Sequence, residues 1–106
     1  MNEPMYAMQR ANGEWLVTNI AGKRCLPVFQ NAAAARRVHR RVGTLIVYRP
    51  QPLDSRVIEK LQQQIPDLQF WLVDEFDPRP DLTPGRWLSL EEIRTAGTAG
   101  DYAMTA

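Results

Sequence analysis

The sequence predicts one α+β domain in which a mixed sheet of about five strands, ordered ββ(β)-α-β-α-β, packs with two main helices and a short C-terminal helix. Short runs rich in β-branched and aromatic residues, separated by turn residues, indicate the strands. Two longer segments have the apolar spacing of amphipathic helices. A length of 106 residues with 44% hydrophobic residues is typical of a single domain with one core.

Three strands come first in the predicted order. The dipeptide Asn12-Gly13 tolerates positive φ at both central positions of a turn, so it predicts a β-hairpin. A second turn, at residues 21–24, leads into a strand that contains Pro27. Since proline has no N–H for a ladder bond, we expect this strand at a sheet edge or at a bend. The three predicted strands are residues 5–10, 15–20 and 25–29.

The first helix is expected to begin after the N-cap Asn31, continue through four alanines and end at Gly43. At about 100° per residue, small apolar side chains form one stripe that packs on the sheet. The stripe consists of Ala34, Ala35, Val38 and Val42. The opposite side, here called the arginine face, consists of Arg36, Arg37, Arg40 and Arg41.

A central strand, covered on both faces, is predicted by the continuous apolar run 44–49. The prolines that follow should stop it. A second helix, capped by Asp54 or Ser55, should end near residue 65 before another proline. Residues 68–73 form the last clear strand, so this part of the chain predicts a right-handed crossover between parallel strands.

An acidic, proline-rich loop over residues 75–84 follows, with a short extended segment at 86–88. Ser89 begins a capping box, which predicts a third, short helix over residues 90–95. The rest of the chain is small and polar, so we expect a flexible tail. The predicted domain spans residues 1–95, and the predicted tail spans residues 96–106.

Charge is distributed unevenly along the chain, although the formal net charge is +1. Residues 1–50 contain eight Lys/Arg and two Asp/Glu, whereas residues 51–106 contain five and ten. The two halves can therefore attract each other within the fold or contact different partners. A single cysteine, an N-terminus unlike a signal peptide and only short apolar runs are typical of a bacterial cytoplasmic protein that does not contact membranes.

Catalytic chemistry has little support in the sequence. The chain has one cysteine, Cys25, and one histidine, His39, and arginines surround His39. Cys25 lies in an apolar strand and is expected to be a small buried residue rather than a nucleophile. Walker and dinucleotide-binding glycine patterns are absent from the sequence. We therefore predict a non-enzymatic protein with no cofactor.

Four carboxylates follow the last clear strand, at a position where sites are common in sheet proteins. Two prolines interrupt them and the EF-hand spacing is absent, so we expect a solvated loop rather than a Mg²⁺ or Ca²⁺ site. A metal-assisted enzyme that uses these carboxylates is nevertheless one alternative function. The four candidates are Asp74, Glu75, Asp77 and Asp81.

The arginine face is the most specific functional signal in the sequence. It suits phosphate contacts, because each guanidinium can present a bidentate fork. Three interpretations stay open: a face that is solvated or paired with the acidic loop, a contact with nucleic acid, and a contact with an acidic protein. Trp87, beside the proline-rich loop, is a further candidate for an exposed contact.

The succession of a hairpin, Leu26-Pro27-Val28-Phe29 and a helix that begins with alanines resembles the N-terminal domain of SseB-type bacterial proteins and related small uncharacterised bacterial domains. The resemblance covers residues 6–75, and the chain departs from it in length and in the proline-rich stretch 76–84. It implies an α+β domain without an established active site, and it transfers no functional residue. The leading hypothesis is an interaction module that binds a protein partner or a second copy of itself through a sheet edge or the arginine face. A nucleic-acid-associated module is the alternative.

Overall fold

The computed structural model describes residues 3–105, with side chains through residue 103. Within this range the chain forms six strands and three α-helices, which confirms the predicted α+β class. The strands are β1 (Tyr6–Arg10), β2 (Thr18–Ile20), β3 (Lys23–Val28), β4 (Tyr48–Pro52), β5 (Gln69–Val73) and β6 (Gly85–Trp87). The helices are α1 (Ala32–Arg41), α2 (Ser55–Gln64) and α3 (Leu90–Thr105), and a 3-10 helix spans Gly43–Val47.

The strands form two hydrogen-bonded sheets that meet at β1. One sheet pairs β1 with β4 antiparallel, and the other has the order β2-β3-β5-β6 with β3 and β5 parallel. Tyr6 and Phe29 exchange backbone hydrogen bonds of 2.9 and 2.7 Å, and the Leu16 N–H donates to the Met8 carbonyl. These bonds connect the two sheets into one mixed layer.

Alternate side chains of the layer enter two cores on its opposite faces. Leu26 and Val28 of β3 pack with apolar residues of α2 and α3, whereas Cys25 and Phe29 pack with the apolar stripe of α1. Because successive strand residues point to opposite faces, a layer covered on both sides needs strands that are apolar throughout. The sheet therefore separates α1 from α2 and α3.

The predicted strand over residues 44–49 is present only from Tyr48, where β4 begins, and β4 is an edge strand rather than a central one. Helix α1 ends at Arg41 with Val42 as its C-cap, so Gly43 directly follows the cap as predicted, and Gly43–Val47 forms a 3-10 helix. Leu45 is buried in the core under α1, and this tertiary contact overrides the β propensity of its neighbours. Since β4 pairs only with β1 among the described strands, the predicted parallel crossover is also wrong: β5 pairs in parallel with β3.

The prolines of β4 do not stop a strand but lie inside one. Leu53 donates its N–H to the Met5 carbonyl at 2.8 Å, so alternate residues of β4 direct their backbone groups toward β1. The nitrogens of Pro50 and Pro52 therefore face the outer edge of the strand. This edge has no N–H donor at either proline, which blocks the addition of a further strand.

The other proline-containing strand, β3, is an inner strand rather than an edge. On one side of β3, Pro27 lies opposite Trp71 of β5. Its nitrogen faces the other side, where β2 pairs only as far as Cys25 and β1 bonds from Phe29 onward. The missing N–H therefore costs no ladder bond. The predicted edge position is wrong because the strand partners change at the proline.

The first hairpin is present, but its turn is longer than the sequence predicts. The Gly13 N–H bonds the Arg10 carbonyl and the Arg10 N–H bonds the Glu14 carbonyl, which encloses a three-residue loop. Only Gly13 has positive φ in this loop, at +91°. The strand that follows begins at Thr18, and Trp15 contributes one isolated bridge to Gln9.

The third helix runs from Leu90 to Thr105, so its predicted end at residue 95 is wrong. Ala96 and Ala99 are buried, and the Asp101 carboxylate accepts bonds of 2.9 and 2.6 Å from the N–H and the hydroxyl of Ser55. Packing against α2 therefore orders a segment of weak helical propensity. Ala106, the last residue of the predicted tail, lies outside the described residues.

Over the described part of the chain, no helix combines the length and the apolar composition that crossing a bilayer requires.

Candidate interaction surface

Helix α1 presents the arginine face because its N-terminus and its apolar stripe are both fixed. The Asn31 side chain accepts a 2.9 Å bond from the Ala34 N–H, which confirms the predicted N-cap. Ala34, Ala35 and Val38 are fully or almost fully buried against the sheet. The arginines therefore occupy the remaining surface of the helix, and the structure divides them into two pairs.

Two of the four arginines contact the acidic loop. Arg37 forms an ion pair with the Glu75 carboxylate, and its guanidinium lies 5.6 Å from the centre of the Phe76 ring. The Arg41 Nη1 donates a 2.9 Å bond to the Glu75 carbonyl, whereas the Arg41 Nε is buried without a hydrogen-bond partner. The interpretation that the arginine face pairs with the acidic loop therefore applies to this pair.

The other pair, Arg36 and Arg40, is exposed. Within residues 3–105 neither guanidinium forms an ion pair or a side-chain hydrogen bond. Their positions on the helix, one turn apart, direct both charges into solvent opposite the buried Val38. They are the arginines of this face that are available to a partner.

Three of the four candidate metal-ligating carboxylates are used inside their own loop, and the fourth, Glu75, pairs with Arg37. Asp77 accepts from the side chain and the N–H of Arg79, and these bonds lower the pKa of Asp77. Asp81 accepts from the hydroxyl and the N–H of Thr83, which likewise lower its pKa. Asp74 accepts from the Phe76 N–H at 3.0 Å.

These bonds make three consecutive turns, so the acidic loop has a defined conformation over α1. Its carboxylates point to separate donors, three within the loop and one on α1, and not to a common centre. Over the described residues, no group of three or more His, Cys, Asp or Glu side chains converges as a metal site would require. The geometry thus gives the metal-assisted alternative no support.

Cys25 and His39 do not form a catalytic pair. Cys25 is completely buried in the sheet, and burial raises the pKa of its thiol, which disfavours the thiolate. The His39 Nε2 lies 2.9 Å from the Tyr48 carbonyl, so this ring connects α1 to β4. The burial of Cys25 agrees with the sequence prediction.

Trp87 is half-buried at the sheet edge rather than freely exposed. Its ring meets the Trp71 ring edge to face at a centroid distance of 4.7 Å, and the Lys23 ammonium lies 5.5 Å from its centre. Trp71 is buried and donates its indole N–H to the Leu82 carbonyl at 3.0 Å. Trp87 therefore packs on Trp71, which bonds the acidic loop, and only part of the Trp87 side chain is exposed.

The sheet edges provide little room for a partner strand. The edge strands β2 and β6 each have three residues, and the outer edge of β4 is blocked by its prolines. Short edge strands are a common protection against strand addition. Of the two predicted contact modes, a sheet edge and the arginine face, the structure therefore disfavours the first.

Gln30, which precedes the N-cap of α1, lines two clefts of the surface. One, of about 350 Å³, is lined by Leu72, Asp74 and Phe76, with Arg86 opposite. The other, of about 600 Å³, lies between the N-terminal segment and α3 and carries Glu3, Glu91 and Glu92. The Arg86–Glu92 ion pair uses two of these charges.

Sequence-based prediction missed a second exposed feature, the apolar pair Ile46 and Val47 on the 3-10 helix. Their β-branched side chains indicate a buried strand, so no local signal separates them from core residues. The residue that follows them, Tyr48, lies opposite Arg10 in the β1–β4 ladder.

Comparisons with known proteins do not assign a family. No protein-family model, no curated protein and no solved structure matches the chain. The resemblance to SseB-type domains stays a prediction.

Proposed function

We propose that this protein is a small interaction module that binds an acidic segment of a protein partner through Arg36 and Arg40. The observation that supports it is the exposure of both arginines on α1 without a carboxylate partner among the described residues. A guanidinium binds a carboxylate through two parallel N–H···O bonds, which makes such a pair suited to an acidic partner. We place the module in the cytoplasm, because its single thiol, Cys25, is buried and free.

Rigid support of the two arginines strengthens the proposal. Helix α1 is held by its N-cap Asn31, by its buried stripe, and by the contacts of Arg37 and Arg41 with the acidic loop. Side chains presented from a rigid element lose less conformational freedom on binding than those on a mobile loop. The acidic loop thus positions the helix that carries Arg36 and Arg40.

The charge asymmetry of the chain is largely unused inside the fold. Across the described residues, one ion pair, Arg37–Glu75, joins the basic and the acidic half of the chain. The other two, Asp77–Arg79 and Arg86–Glu92, lie within the acidic half. Attraction between the halves therefore leaves most of the basic charge available for a partner.

The proposal can be tested with labelled peptides. We expect Arg36→Gln combined with Arg40→Gln to weaken the binding of a Glu/Asp-rich peptide by about tenfold or more, because two bidentate pairs are lost. Fluorescence anisotropy at low ionic strength measures the affinity. The control is Arg56→Gln with Arg94→Gln, which removes the same charge from exposed arginines on the opposite side of the sheet.

If both double variants lose the same affinity for the peptide, the effect comes from net charge alone and the proposal is overturned. A labelled oligonucleotide in the same assay separates the nucleic-acid alternative. If the oligonucleotide binds more tightly than every acidic peptide and loses affinity in the Arg36/Arg40 variant, the module binds nucleic acid. Its affinity would then fall with added salt, with a slope of about −0.9 in log affinity for each phosphate contact.

A further inference from the structure

The smaller of the two clefts beside Gln30, here called the strand-end cleft, lies where two parallel strands end. Gln30 comes two residues after β3, and Asp74 comes directly after β5. In sheets with parallel strands, ligands commonly bind in the crevice outside the carboxyl ends of the strands. The volume of the cleft, about 350 Å³, is within the range of small-molecule sites, which is about 300–1,000 Å³. Its position and its size are therefore both typical of a ligand site.

Two apolar side chains line the strand-end cleft. Leu72 is partly buried and packs against the core of α2 and α3. The Phe76 ring is 80% exposed, although it is a large aromatic group. Arg37, which is itself paired with Glu75, lies 5.6 Å from the centre of this ring and helps to position it. An apolar ligand in the cleft would cover aromatic and aliphatic surface that is now in contact with water.

Three charged side chains also line the cleft, and one of them lacks a counter-charge. Glu75 pairs with Arg37 of α1. Both Nη atoms of Arg86 donate to the Glu92 carboxylate, at 3.2 and 2.8 Å. Asp74 forms no ion pair in the described part of the chain. The uncompensated charge of the strand-end cleft is therefore negative.

Two oxygen acceptors in the cleft are available to a ligand. The Asp74 carboxylate accepts a bond of 3.0 Å through Oδ1 from the Phe76 N–H, and Oδ2 accepts none from the described residues. The Gln30 side chain is exposed and has no hydrogen bond within residues 3–105. An ammonium group has three N–H donors and no acceptor, so it suits both oxygens.

The larger cleft beside Gln30 adds to the negative potential. It carries Glu3 and Glu91, neither of which forms an ion pair among the described residues. Arg79 of the acidic loop is paired with Asp77. A carboxylate or phosphate ligand would meet this uncompensated negative charge, whereas a cation is attracted by it.

We propose that the strand-end cleft binds a small organic amine in which an ammonium group is joined to an apolar group. The ammonium donates to Asp74 and to the Gln30 amide oxygen, and the apolar group packs on Leu72 and Phe76. A neutral apolar molecule would cover the Asp74 carboxylate without providing a partner for its charge, which costs free energy. The inference does not rest on the proposed function, because neither arginine of that function lines the cleft.

The test compares three probes of similar size and different charge. Phenethylamine is a cation at neutral pH, phenethyl alcohol is neutral, and hydrocinnamate is an anion. Titration of the isotope-labelled full chain, followed by amide chemical shifts in NMR spectra, measures each affinity and locates the site. We expect phenethylamine to bind about tenfold more tightly than the alcohol, because its ammonium forms charge-assisted bonds, and hydrocinnamate to bind more weakly than both.

Side-chain variants assign the binding to the cleft. Asp74→Asn should weaken phenethylamine binding by about tenfold and leave the alcohol unchanged, because the charge is lost while the asparagine oxygen still accepts from the Phe76 N–H. Phe76→Ala should weaken both probes by similar factors, since both pack their ring on this side chain. Asp67→Asn is the matched control, because it removes an exposed carboxylate just before the other end of β5.

Four results would overturn the inference. The first is equal affinity for the amine and the alcohol, and the second is an equal loss of amine affinity in Asp74→Asn and Asp67→Asn, which would show an effect of net charge alone. The third is tighter binding of hydrocinnamate than of phenethylamine. The fourth is a titration in which phenethylamine shifts no amide signal of the residues that line the cleft.

Discussion

A single alanine at the tip of the β2–β3 hairpin has a backbone conformation that alanine disfavours. Ala21 has a φ of +52° and Gly22 a φ of +77° in the two-residue turn between Ile20 and Lys23. Two consecutive positive φ angles are typical of a type I′ turn, whose preferred residues are Asn and Gly. A residue with a Cβ atom pays about 1–2 kcal/mol for the left-handed region.

We expect Ala21→Asn to raise the free energy of unfolding by about 0.5–1 kcal/mol, because Asn adopts the left-handed region more readily. Urea-induced unfolding followed by tryptophan fluorescence measures the change. As a control, Gly22→Ala should lower the free energy by about 1 kcal/mol through backbone strain alone, since no atom lies within 4 Å of the added Cβ. A stable Gly22→Ala variant would show that the turn does not hold these angles.

At the scale of elements, α3 shows how packing can replace propensity. It contains Gly97 and Gly100, which weaken an isolated helix. Both glycines are buried against α2 and the segment before it, where the Leu53 carbonyl lies 1.8 Å from the position of a Cβ atom on Gly100. The absence of a side chain is therefore what allows α3 to approach so closely.

Gly100→Ala is expected to lower the free energy of unfolding by about 2–3 kcal/mol, because the added methyl group forces two backbones apart. Thermal unfolding followed by circular dichroism provides the measurement. Gly43→Ala is the matched control, since an added Cβ meets nothing within 4 Å there, and it should leave stability nearly unchanged. Equal melting temperatures for Gly100→Ala and the parent protein would contradict the close packing of α3.

For the whole molecule, local hydrogen bonds to carboxylates couple folding to pH. The pKa values of Asp77, Asp81 and Asp101 lie below their usual range because neighbouring side-chain and backbone groups donate to the ionised form. The Arg86 side chain, helped by the Ser89 N–H, lowers the pKa of Glu92 to about 2. The unfolded chain therefore binds protons more readily than the folded protein, and stability falls as the pH decreases below about 4.5.

The Glu92 contribution is complete above its unfolded pKa and is lost as the pH falls toward about 2. Glu92→Gln should therefore destabilise the protein at neutral pH and flatten the acid decline, because β6 loses its ion pair with α3. Urea midpoints at about pH 7 and about pH 3 measure both effects. Glu91→Gln, the same change on an adjacent exposed residue, should leave the difference between the urea midpoints at the two pH values unchanged. If Glu92→Gln and the parent protein lose the same stability between the two pH values, Glu92 does not contribute to the acid decline.

Much of the fold can be predicted from local pattern. The N-cap at Asn31, the apolar stripe of α1 and the apolar run of β5 are each explained by neighbours in the chain, and the structure contains all three. The strand expected from residue 44 begins only at Tyr48, because an apolar β-branched run does not reveal whether its residues face a core. Leu45 enters one, whereas Ile46 and Val47 face solvent.

The sequence by itself determined the α+β class, the small apolar stripe of α1 and the presence of four arginines opposite it. Tertiary structure decided which of these arginines are available, since the ion pair of Arg37 and the backbone contact of Arg41 both depend on Glu75, far away in the chain. Periodicity within one helix depends on residues a few positions apart, so it is visible in the sequence. Whether an arginine is neutralised depends on which carboxylate the sheet topology brings beside it. Glu75 reaches α1 only because β5 pairs with β3, which places the loop after β5 next to the helix.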